Sequence, residues 1–181
     1  EEDDIAIIEQ QKITVIDVNG IIADRAIVES RLSSAATERG EFKHFMLKEI
    51  HEQAEAVDNT LKSRIAGVQV LESAFGPGAA AAFDKVKAVH IVACGTSYHA
   101  GLVARYWIEA ICRIPCSVEI ASEYRYRDPV VPDGTLFVTI SQSGETADTL
   151  AALRAAKKVD YISTLVICNV PESSMVRESD L

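Results

Sequence analysis

The chain has 181 residues, with 18 Lys and Arg against 27 Asp and Glu, giving a formal charge of −9; 48% of residues are apolar and 25% charged. That is the balance of a globular chain of one domain with an appended piece, with ample material for a core. The acidic surplus disfavours nucleic acid or an anionic membrane as partner; with no apolar run near a membrane span and no signal pattern, a cytoplasmic protein is expected.

Ile5 to Ile16 is rich in β-branched residues, Asn19-Gly20 carries a type I′ turn signal, and Ile21 to Val28 resumes an extended pattern. One hairpin is predicted. A lone hairpin is not self-supporting in water, so these strands are expected to belong to a larger sheet. Small and polar residues then mark a linker over residues 34–40, which separates an N-terminal piece (1–33) from the rest (41–181).

From Glu41 a helix is predicted. Phe42, Phe45, Met46, Ile50, Val57 and Leu61 recur at three-, four- and seven-residue steps, with Lys43, Lys48, Glu49, Glu52 and Glu55 on the other surface. Such a stripe is expected to pack on the protein's own core, or else against a second copy. A second helix is read from about Asn59 to Phe75, closed by Gly76-Pro77-Gly78.

After Ala88 strand and helix alternate. Val89–Cys94, Ser117–Ile120, Thr135–Ile140 and Ser163–Cys168 are short apolar strands; helices follow from Ser97 to about Ile111, capped by Thr96, and from Thr146 to about Lys158. Continuous apolar strands between helices of this length imply an α/β fold, a doubly wound parallel sheet covered on both faces. The chain reaches Leu181 at what reads as the approach to a further strand, and both ends are expected to be cut from something longer.

Cys94, Cys112, Cys116 and Cys168 are too sparse for a disulfide scaffold and read as buried thiols. Cys112 and Cys116 have no matching pair, and His44, His51, His90 and His99 show no metal-ligand spacing. Neither a metal nor a cofactor is expected.

Chemistry concentrates in two loops at strand ends, where open α/β sheets bind ligands. Cys94-Gly95-Thr96-Ser97 and Ser141-Gln142-Ser143-Gly144-Glu145-Thr146 together offer five hydroxyls, one amide side chain and two glycines. Helix N-termini add free N–H groups and a positive dipole end, which suits an anion. There is no Gly-x-x-x-x-Gly-Lys and no Gly-x-Gly-x-x-Gly, so a small phosphorylated ligand fits better than a nucleotide.

Cys94-Gly95-Thr96-Ser97-Tyr98-His99-Ala100 and Ser141-Gln142-Ser143-Gly144-Glu145-Thr146-Ala147-Asp148-Thr149 resemble the sugar-isomerase (SIS) domain of the glutamine:fructose-6-phosphate aminotransferases, the glucosamine-6-phosphate synthase family. The helix from His44 to Gln53 resembles the segment after that family's interdomain linker, residues 1–33 resemble the tail of its glutaminase domain, and Ser122-Glu123-Tyr124-Arg125-Tyr126 fits as well. The likeness covers essentially the whole chain; Ala54 departs from it, since the family usually has proline after Glu-Gln.

The resemblance implies a three-layer SIS fold and a sugar phosphate, fructose 6-phosphate or glucosamine 6-phosphate, as partner. It implies that Ser141, Gln142, Ser143 and Thr146 cradle the phosphate, that Thr96 and Ser97 contact the sugar and its phosphate, and that Cys94 and Gly95 line the pocket. The family's catalytic Lys, Glu and His and its N-terminal Cys nucleophile match no position here, so this piece alone is expected to be inactive, with neither His99 nor Glu145 acting as acid or base. A homodimer is expected by the same resemblance. The alternative is a SIS module that senses sugar phosphate in a regulator without catalysis.

Overall fold

The computed structural model describes residues 4–26 and 38–181. The chain divides into two compact units, Glu1–Ala54 and Glu55–Leu181.

In the first unit, β1 (Ile5–Glu9), β2 (Lys12–Ile16) and β3 (Ile22–Ala23) form an antiparallel meander, with Ile5 opposite Ile16 and Val15 opposite Ala23. The hairpin expected across Asn19-Gly20 is present as β2 and β3, and β1 adds a further strand that turns back at Gln10-Gln11, a pair with no Gly or Asn to announce it. The Asn19-Gly20 turn is not type I′. That type needs positive φ at both central residues, whereas Gly20 has φ +77° and Asn19 is not left-handed. Asp17 holds the turn instead, its carboxylate accepting the Asn19 and Ile21 N–H groups, both at 2.9 Å. Arg25 closes the meander with two bonds to Asp4, and these hold the Asp4 carboxyl down at about 2. Residues 27–37, with the expected strand end at Val28 and linker positions 34–37, lie outside the described residues.

The helix α1 (Phe45–Leu61) begins later than expected, with the His44 carbonyl accepting the Lys48 N–H at 3.2 Å. Its apolar stripe does not lie in a core. Phe45, Met46, Ile50, Val57 and Leu61 are all exposed, Met46 to 72%, and the buried residue of the helix is Lys48, whose amine donates to the Glu38 carbonyl at 2.5 Å. The predicted helix over 59–75 is also corrected. Ser63 enters the left-handed region (φ +66°), and β4 (Ile65–Ala66) pairs with β5 (Gln69–Val70) before a 3₁₀ turn at Glu72–Phe75. Isoleucine and valine here serve a small hairpin, for which β-branched side chains are suited.

The second unit is built on four parallel strands in the order β7-β6-β8-β9: β6 (Ala88–Ala93), β7 (Cys116–Ile120), β8 (Thr135–Ser141) and β9 (Ser163–Cys168). Alternate residues feed two cores. Val89, Ile91, Cys116, Leu136, Val138 and Leu165 face one side, packed by α2 (Ala79–Phe83) and α3 (Gly95–Trp107) through Phe83 and Ala104. Val92 and Phe137 face the other, where Ala121 and Tyr124 of α4 (Ala121–Tyr124), Ala152, Leu153 and Ala156 of α5 (Ala147–Ala156) and Met175 of α6 (Ser174–Glu178) complete the layer. The result is the α/β/α sandwich that double burial of the strands implies. At the β9 edge Leu181 donates to the Thr164 carbonyl and accepts from the Val166 N–H, both at 3.0 Å, the pattern of a parallel bridge.

Candidate functional site

Strand order sets the position of the site. From β6 the chain moves outward to β7, then returns across β6 to β8 and β9. The direction therefore reverses between β6 and β8, which opens a crevice at their carboxyl ends, the usual ligand position in such sheets. Both predicted loops leave from there: Ala93 pairs with Ile140, so Cys94 and Ser141 emerge side by side.

In the first loop Cys94 is extended and Gly95 turns with φ +56° directly into α3. Nothing stands within 4 Å of a Cβ built on Gly95, so the space above it is open. The expected Thr96 cap is corrected: Cys94 holds the N-cap position and no side chain caps the helix. The N–H groups of the first turn of α3 consequently keep no side-chain acceptor. Thr96 is exposed and Ser97 half-buried. The two loops are tied together from below by the Thr149 hydroxyl of α5, 3.7 Å from the Cys94 sulfur.

The second loop is held from both sides. Ser141 Oγ accepts the Gly144 N–H at 3.0 Å, and Ser143 Oγ accepts the Glu145 N–H at 3.2 Å. Both hydroxyls use their oxygen on backbone. Ser141 stands a long 3.5 Å from Thr146 Oγ1. Their protons can thus turn toward an incoming acceptor. Thr146 is the N-cap of α5 and makes no cap bond with its side chain. Gln142 is exposed beside them. Gly144 has φ +70°, and a Cβ there would stand 2.0 Å from Ser173 Oγ and 2.8 Å from the Cys168 sulfur. The Met175 N–H donates to the Gly144 carbonyl at 3.1 Å.

Charge around the loop is already partnered. Glu145 turns away to accept the Ser174 N–H at 2.7 Å, and that bond lowers its carboxyl below the usual range. It thus serves the start of α6 rather than the first turn of α5. Asp148, in the first turn of α5, takes a 2.6 Å bond from Arg125. The cradle therefore offers dipoles rather than a bare cation.

All eight predicted residues lie on these two loops. Sequence reasoning missed Cys168 at the end of β9 and Ser173 at the N-cap of α6, which press on the second loop at Gly144, and Thr149 of α5, which reaches Cys94 of the first. The Pro171-Glu172-Ser173-Ser174 run after β9 was the available signal, a helix start at the same sheet edge. The uniform reading of the cysteines as buried is corrected too: Cys116 is buried, its thiol pushed up to about 11 by that burial, while Cys94 and Cys168 are intermediate and Cys112 is exposed. A separate concavity lined by residues between Gln69 and Ala80 includes none of the loop residues, and its charged lining group is the carboxylate of Glu72, which suits no anion.

The family model described as SIS domain matches residues 82–181. A glutamine–fructose-6-phosphate aminotransferase (isomerizing) of Pseudomonas syringae pv. tomato is 58% identical over the whole of this chain, which covers 30% of that relative. The solved C-terminal domain of glucosamine-fructose-6-phosphate aminotransferase from Francisella tularensis superposes with a TM-score of 0.76 at 58% identity, over 79% of this chain and 40% of that one. A glucosamine-6-phosphate deaminase from Thermotoga maritima gives a TM-score of 0.59 at 25% identity, over 76% of this chain and 39% of that one. The chain thus spans about a third of the length of the curated relatives it matches.

Proposed function

This chain belongs to the SIS domain family, and from that premise we propose that the crevice between its two loops binds the phosphate of a phosphorylated sugar. The ligand is fructose 6-phosphate or its product, and the chain serves an aminotransferase that converts fructose 6-phosphate and glutamine to glucosamine 6-phosphate and glutamate. The names of curated relatives at more than half identity, glutamine–fructose-6-phosphate aminotransferases (isomerizing), support this reading. The observation that carries it is the second loop: three hydroxyls, two with their oxygens already occupied by backbone N–H groups, stand at the N-terminus of a ten-residue helix.

In this reading Ser141, Ser143 and Thr146 donate hydroxyl protons to phosphate oxygens, and the free N–H groups of α5 complete the shell. Gln142 contributes its amide. Thr96 and Ser97 meet the sugar and the near side of the phosphate, and Cys94 and Gly95 form the wall that lets it approach. What these groups do is hold and orient; binding energy placed on a remote phosphate is a recognised means of fixing a reacting sugar. The same reading takes residues 1–33 as the tail of a glutaminase domain, 34–40 as a linker and 41–181 as the SIS part of a cytoplasmic homodimer.

Thermal unfolding with added fructose 6-phosphate tests the site. A ligand present at about 100 times its Kd adds about 2.7 kcal/mol to the folded state. We expect the melting temperature to rise with fructose 6-phosphate and not with fructose, and the rise to be lost in the double variant Ser141→Ala, Thr146→Ala. No rise at high millimolar sugar phosphate overturns the reading.

A further inference from the structure

The segment Ser122–Tyr126 has no part in the cradle, yet it delivers one charge to it. α4 starts without any loop at the end of β7, so Arg125 stands at the same carboxyl edge of the sheet as the two loops. Its guanidinium donates to Asp148 Oδ1 at 2.6 Å and lies over the Tyr126 ring, 4.8 Å from the centroid. Asp148 is the second residue of α5, within one turn of the N-cap Thr146 and of the helix's first N–H groups. An acid in a first turn is favourable to the helix by itself. It is unfavourable to a phosphate placed on the same N-terminus, because the two anions then compete for one dipole end.

We propose that Arg125 is a positioning residue for the sugar-phosphate site: it cancels the charge of Asp148 and so leaves the N-terminus of α5 available to a phosphate. This rests on the sugar-phosphate reading above. The half-buried guanidinium lies against the Tyr126 ring and has N–H groups beyond the one bonded to Asp148. The cation is thus built into the scaffold next to the loop.

The test is a double-variant cycle on the 181-residue chain, read as the Kd for fructose 6-phosphate from the ligand dependence of the melting temperature. Arg125→Gln should weaken binding about fivefold. Asp148→Asn alone should not weaken it, and Arg125→Gln with Asp148→Asn should return the Kd to within about twofold of the unsubstituted chain. A merely structural bond gives another pattern: either single substitution weakens binding, and the double variant stays weak. That pattern, or unchanged binding in Arg125→Gln, overturns the inference while leaving the sugar-phosphate reading intact. Failure of the unsubstituted chain to respond to fructose 6-phosphate removes both. If Arg125→Gln does not fold, Asp148→Asn still decides, since weaker binding in that variant contradicts the proposed role.

Discussion

Two glycines of the candidate site look alike in the sequence, each within a hydroxyl-rich loop, and both have positive φ, +56° at Gly95 and +70° at Gly144. Their surroundings differ. Gly95 has open space where a Cβ would go, while at Gly144 the same atom would meet Ser173 Oγ at 2.0 Å and Ser173 Cβ at 2.3 Å. An L side chain in this region costs about 1–2 kcal/mol from its backbone alone, and overpacking adds about 1–3 kcal/mol. Gly95→Ala should therefore lower stability by about 1 kcal/mol and Gly144→Ala by about 2–4 kcal/mol, read from urea unfolding. Equal losses would mean that Ser173 and Cys168 do not press on the loop. The hydroxyls were legible because Ser and Thr after an apolar strand have few roles beyond capping and binding. The clamp on Gly144 was not legible, because it is a contact between positions 29 residues apart, made only once β9 and α6 are in place.

Among the elements, the four sheet strands were read nearly to the residue, since runs of five to seven residues rich in β-branched side chains are too short for helices and each is followed by a loop or helix start. The segment 62–75 was misread because short apolar steps fit helix and hairpin equally, and the left-handed Ser63 leaves no trace in composition. The stripe of α1 was read correctly as a stripe and wrongly as core: periodicity reports that an apolar face exists, not what covers it. The difference can be measured. Leu153 of α5 is fully buried and Met46 of α1 is 72% exposed. Leu153→Ala should cost about 2–5 kcal/mol, and Met46→Ala should stay within about 0.5 kcal/mol at concentrations where the chain is monomeric. A loss of more than 1 kcal/mol for Met46→Ala under those conditions would place the stripe in a core after all.

For the whole molecule, the response to acid sets two effects against each other. Adding protons relieves the self-repulsion of a chain with net charge −9, which favours the compact state. His90 opposes this. It is 7% exposed on the central strand β6, its Nδ1 is 2.8 Å from the Tyr161 hydroxyl, and Nε2 faces Glu119 at 3.2 Å. Glu119 is itself held by two bonds from Arg127, at 2.6 and 2.7 Å, and the Tyr124 hydroxyl donates to that of Tyr161 at 3.1 Å. Burial lowers the His90 pKa below 6.5, outweighing the pull of Glu119. A group whose folded pKa is depressed gives stability that is complete above its unfolded pKa and lost as pH falls toward the folded one. Stability should then decline from about pH 6.5 downward, by no more than about 1.4 kcal/mol per pH unit for this one group. A second decline belongs to lower pH. Burial of Glu119 raises its carboxyl, but the Arg127 bonds outweigh that, and Arg154 lowers Glu178, so both carboxylates stabilise above 4.5 and lose that contribution beneath it. Urea unfolding at pH 7.5, 6.5 and 5.5 reads the first decline and at about pH 4.5 and 3.5 the second: the first should vanish in His90→Asn, while the second persists. Stability that rises steadily from pH 7.5 to 5.5 in the unsubstituted chain would show that relief of the acidic surface, not the buried imidazole, governs this window.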